Sequence, residues 1–201
     1  MFKEHARVRA YVRVLRIPAL RVPLVATAVG ALPLGMLGLG LLLYVHSLTG
    51  SLGDAGLATG SFGVGNALGL TVQGRLIDRF GPRVVIAPAG VACAVWTGLL
   101  VIGAPRADSM AFTVALAAAA GASVPATTSI MRVLLAEPIV PAGARPAGYA
   151  LLAVLFQLAL LAGPLVASAL MVLVGPGGAV AAGGALAGAA GLLFASARAS
   201  R

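Results

Sequence analysis

Residues 74 to 83 read Gly74-Arg75-Leu76-Ile77-Asp78-Arg79-Phe80-Gly81-Pro82-Arg83, a short charged segment between two long apolar runs. Asp78, Arg79 and Arg83 crowd around Gly74 and Gly81, while nearly everything on either side is hydrocarbon. The local chemistry predicts a hinge. Its glycines let the chain reverse tightly, Asp78 can accept hydrogen bonds from an arginine or face a helix N-terminus, and its basic side chains stay in a headgroup layer.

The flanks decide the solvent. Of the 201 residues 60% are hydrophobic and only 9% charged, which leaves too little polar surface to cover a soluble globule. The chain therefore reads as an all-α integral membrane protein. A bilayer core of about 30 Å needs roughly 17 to 25 apolar residues per helical crossing. Six transmembrane helices are expected, at Val22 to Val45, Gly56 to Val72, Val84 to Ile102, Met110 to Val133, Tyr149 to Val174 and Gly178 to Ala195. The first is too long for the apolar core of a cleaved signal and reads as a permanent span.

The net charge of +9 is topological. Assigning loops alternately puts thirteen of the fourteen basic residues on one side and leaves Arg106 alone on the other. By the positive-inside rule both termini and the 74–83 segment are cytoplasmic, in a cell membrane, and nucleic acid is not a partner. Residues 1–21 form a basic N-terminal segment, 22–197 the six-helix bundle and 198–201 a cytoplasmic tail. Phe2 to Arg16 could lie along the membrane surface as a basic amphiphile or remain a solvated tail. The inner connection Leu134 to Gly148, rich in proline, should be irregular.

Glycines four apart mark close helix seams, at Gly56 and Gly60, at Gly65 and Gly69, and at Gly184 and Gly188. The polar residues inside the apolar runs are Asn66, Gln73, Ser123, Thr127, Thr128 and Gln157. Asn66 and Gln73 share a helix face, as do Ser123 with Thr127 and Thr128 with Arg132. They suit either the lining of a cavity for a largely apolar compound or hydrogen bonding between helices. The apolar runs are almost free of ionisable groups, and nothing in them can carry a proton relay.

Enzyme chemistry has little to stand on. Lys3 is the sole lysine, so no Walker-type phosphate loop exists, and no cofactor-binding motif is present. His5 and His46 are the only histidines and lack the companion ligands of a catalytic metal. Cys93 has no partner for a disulfide.

The order Gly74, Asp78-Arg79, Gly81, Arg83 resembles the loop joining the second and third helices of major facilitator superfamily transporters, with Pro82 where a basic residue is commoner. The resemblance implies a six-helix N-terminal half. It also implies that Gly74, Asp78, Arg79, Gly81 and Arg83 act as a conformational latch between two halves. Gly121 to Ala126, with Pro125, is similar to the family's fourth helix, although no arginine stands between Val114 and Ala120. Gly163-Pro164 is similar to the glycine-proline motif of drug antiporters, or else simply kinks the fifth helix. The implied function is transport of an unknown small molecule, in the direction of efflux. The partners would be the lipid bilayer and a second six-helix half or second copy. The alternative is a non-transporting six-helix membrane protein, a relic or an assembly partner.

Overall fold

The computed structural model describes residues 17–107, 109–138 and 140–196. Its regular structure is entirely helical among these residues: α1 (Pro18–Thr49), α2 (Leu52–Phe80), α3 (Pro82–Gly103), α4 (Met110–Ala122), α5 (Thr127–Ala136) and α6 (Arg145–Ser196). The basic amphiphile expected before Arg16 and the tail from 198 lie outside the described residues.

Local chemistry sets the boundaries. Pro18 and Pro82 occupy first-turn positions, where a missing N–H costs nothing. Ser51 caps α2 by accepting the Asp54 amide at 3.2 Å, and Ser109 caps α4 by accepting the Ala111 amide at 3.2 Å. Pro125 cannot continue a helix, so the run after α4 breaks at residues 123–126 and resumes at Thr127.

The 52 residues of α6 would measure about 78 Å if straight, more than twice a bilayer core. The helix instead breaks at Gly175, whose φ of 80° and ψ of 170° belong to a region open essentially only to glycine. Contacts with α1 show the direction of each arm. Leu20 and Leu24 cluster with Leu152, and Gly35 meets Gly163, so the first arm runs parallel to α1. Tyr44 lies beside Gly177, Leu37 beside Gly183 and Ala190 beside Gly30, so the second arm runs back along it. The described residues thus make six alternating helical passes, the fourth being α4 and α5 together.

Four stretches are long and apolar enough to cross a membrane: Leu20–Thr49, Pro82–Arg106, Met110–Ala136 and Ala142–Ser196. The last contains both the fifth and the sixth expected spans, joined by the reversal at Gly175. The 29-residue α2 is long enough but is diluted by Asp54, Asn66, Gln73, Arg75, Asp78, Arg79 and its glycines.

Seams follow the small residues. Gly65 and Gly69 of α2 lie against the Ala118 and Ala122 backbones, and Gly121 against Phe62, pressing α2 onto α4. A Cβ at Gly90 of α3 would stand 2.7 Å from the Ala187 carbonyl, and one at Gly191 2.7 Å from that of Ile86. Close backbone approach is how helices gain contact where apolar burial supplies no drive. Leu37, Leu41, Val45, Leu100 and Val180 form the centre of the core, and the Tyr44 hydroxyl donates to the Val101 carbonyl at 2.8 Å. The outward faces carry the large apolar side chains, with Val172 86% exposed and Leu173 77%. Such a surface matches hydrocarbon rather than water.

Candidate functional site

The 74–83 segment is not a loop. Helix α2 continues to Phe80 and α3 begins at Pro82, leaving Gly81 as the entire connection, with φ 85° and ψ 159°. Gly74, expected to help the reversal, sits in helix interior, because a single glycine followed by a helix-starting proline suffices to turn the chain. Asp78 and Arg79 are exposed in the last turn of α2, with the Arg79 guanidinium 5.3 Å from the centre of the Phe80 ring. The half-buried Arg83 reaches furthest. Its Nε donates to the carbonyl of Ala195, near the end of α6, and so ties the α2–α3 corner to the last helical turn.

The expected polar lining does not come together as one site. Gln73 is only 5% exposed, and its amide is fully committed: Nε2 donates to Ala122 at 3.0 Å and Val124 at 2.9 Å, while Oε1 accepts from the Ala126 amide at 3.1 Å. These three bonds satisfy backbone groups freed by the break between α4 and α5. Thr127, 1% exposed, packs against Gly30 of α1. Ser123 opens, beside the stem of Gln73, onto an apolar groove of about 560 Å³ between α2 and α3, walled by Leu68, Val72, Phe80, Val84 and Pro88. Gln157 is exposed and lines no cavity with the others; its neighbour Phe156 does.

Asn66 and Thr128 do meet in one place. A partly open cavity of about 310 Å³ is lined by Ala31 and Leu34 of α1, Asn66 and Leu70 of α2, residues 124–126 of the break, Thr128, Ser129 and Arg132 of α5, and Phe156 of α6. The Asn66 Nδ2 donates to the Gly121 carbonyl at 3.3 Å, which leaves its Oδ1 for another partner. Among the described residues no acidic side chain lines this space, and Arg132 is its one cation. Sequence reasoning counted Arg132 among the cytoplasmic charges and paired it with Thr128 on one helix face, but passed over Ser129 and Phe156. The signal was the spacing: residues 128, 129 and 132 lie three and four apart on one face of α5.

Gly163 and Pro164 belong to a seam. Pro164 deprives the Leu160 carbonyl of its helical donor, and a Cβ at Gly35 would stand 2.9 Å from that oxygen and 3.1 Å from the Pro164 ring. The pair therefore seats α6 against α1 in addition to marking the helix.

An all-helical bundle with a glycine-proline corner at 81–82 and a small cavity between its helices has a counterpart among known families. The family model described as Major Facilitator Superfamily matches residues 24–200. The chain belongs to the Major Facilitator Superfamily. The match runs through all six helical passes, the corner and the cavity. No match to a curated protein accompanies it. The superfamily assigns the chain to transmembrane transport of small molecules, in proteins that are transporters rather than enzymes. Its outward apolar faces place it in a membrane.

Proposed function

We propose that the chain is the N-terminal half of an alternating-access carrier that exports small molecules across the cell membrane, working with a second six-helix bundle or a second copy. All six helical passes are crossings in this reading, with both termini and the Gly81 corner cytoplasmic, as the distribution of basic residues favours. The second pass relies on its neighbours to carry α2, whose polar residues are partly occupied by bonds to α4 and the break. The substrate sits in the cavity lined by Asn66, Thr128, Ser129 and Arg132. Asp78 and Arg79 meet the partner bundle when the cytoplasmic side is closed, while Gly81 and Arg83 hold the corner that presents them. Efflux is favoured by the likeness of Gly163-Pro164 to the antiporter motif.

One observation carries the half-carrier reading: the cavity is open along part of its rim, where Leu70, Ser129 and Arg132 are exposed. Outer glycines Gly56, Gly60 and Gly63 of α2 likewise face open space, offering a second bundle close approach. The test is transport of labelled organic cations, anions and neutral compounds in vesicles containing the chain alone and in vesicles also containing a co-expressed second six-helix bundle. Transport is expected only with the pair. Gradient-driven transport by the chain alone would overturn the half-carrier reading in favour of a homodimer. Inactivity in both preparations would favour the non-transporting protein.

A further inference from the structure

We infer that the cavity between α1, α2 and α5 selects amphiphilic organic anions, with the acid group held by Arg132, Thr128 and Ser129 and an apolar body against Leu34, Leu70 and Phe156. The inference rests on the transport reading above and adds the charge and shape of the substrate. Its first support is the sign of the lining. Arg132, Thr128, Ser129 and Asn66 are among its lining residues, and no Asp or Glu among the described residues is. A cation entering would meet a like charge with nothing to neutralise it, which is a strong form of rejection.

The second support is that the polar groups are uncommitted. Neither the Thr128 nor the Ser129 hydroxyl is engaged among the described residues, and the same is true of the Arg132 guanidinium. Only the Arg132 carbonyl is used, accepting from the Tyr149 hydroxyl at 3.2 Å, which fixes this turn of α5 against the start of α6. Spacings of three and four residues put the two hydroxyls and the guanidinium within about 5–6 Å of one another at the Cβ level. One carboxylate can therefore be reached by all three. Arginine is suited to this because its planar fork takes a carboxylate through two parallel bonds.

The third support is segregation. Thr128, Ser129 and Arg132 come from the first two turns of α5, while Ala31, Leu34, Leu70 and Phe156 supply apolar lining from α1, α2 and α6. At about 310 Å³ the space is at the small end of the range for small-molecule sites, roughly 300–1,000 Å³. A compact aromatic or branched acid fits this division better than a long chain or a multiply charged anion.

The test uses the purified full chain in nanodiscs, titrated calorimetrically with 4-tert-butylbenzoate, 4-tert-butylbenzamide and 4-tert-butylbenzylammonium, with empty nanodiscs as the blank. The benzoate should bind about tenfold or more tightly than the amide, and the ammonium should not bind. Arg132→Gln should reduce the benzoate to the level of the amide, and Arg132→Lys should retain much of the difference; unchanged melting temperatures verify that both variants fold. Ser129→Phe, which fills the cavity, should abolish binding of all compounds. Equal binding of the three compounds, unaffected by Arg132→Gln but lost in Ser129→Phe, would overturn anion selectivity while leaving the cavity as the binding site. Binding that survives Ser129→Phe, or no binding by any compound at millimolar concentration, would overturn both the inference and the cavity assignment beneath it.

Discussion

Gln73 shows how a residue's sequence position and its task can part company. Its sharing of a face with Asn66 is legible, and that periodicity permits both cavity lining and helix-to-helix bonding. Which one holds depends on what lies opposite, and the irregular backbone of residues 122–126 is brought there only by packing. Gln73 takes three backbone groups of that break, whereas Asn66 takes one carbonyl at 3.3 Å and keeps a place in the cavity. Gln73→Leu should accordingly lower stability by about 2–3 kcal/mol, since the stranded groups are buried. Asn66→Leu should cost less than half as much. Thermal melting of the detergent-solubilised variants checks the ratio, and equal losses would remove the special role of Gln73.

Among the helices, the apolar runs and their order were legible because hydrocarbon imposes a minimum length on each crossing. The reversal between the fifth and sixth runs was legible too, since Gly175-Pro176-Gly177-Gly178 interrupts them. The break between α4 and α5 was less so. Pro125 marks it, but apolar residues continue on both sides and the run reads as one helix. Two reversals share one device: Gly81-Pro82 and Gly175-Pro176 each place a glycine in the same backbone region before a proline, at opposite ends of the bundle. That repetition accords with two three-helix units of inverted direction. The glycine seams were recognisable as a class, though not which glycines were in contact. Gly65→Ala drives a methyl group into the Ala118 backbone and should destabilise by at least about 1–3 kcal/mol, whereas Gly60→Ala enters open space and should be neutral or slightly stabilising. Melting temperatures of the two variants check this; similar shifts would mean that α2 does not pack on α4 through its glycines.

For the whole molecule, topology can be read with unusually little background because Cys93 is the only cysteine and is fully buried. The unmodified chain should not react with a membrane-impermeant maleimide in intact cells. Gly53→Cys, at the exposed start of α2, should label from outside, and Arg75→Cys, near its other end, only after permeabilisation. Labelling of both from the same side would refute the proposed orientation and the crossing of α2.

The bond between Arg83 and Ala195 joins positions 112 residues apart, and that separation is also an interval of time. A ribosome adding about 5–20 residues per second reaches Ala195 roughly 6 to 22 seconds after Arg83. Throughout that interval the corner at Gly81 lacks that tie. Its arginine is the earlier-made half of a contact that the growing chain completes only with the second arm of α6. Anything that stalls elongation within the second arm of α6 therefore yields a chain whose first five helices are made but whose corner is unfastened.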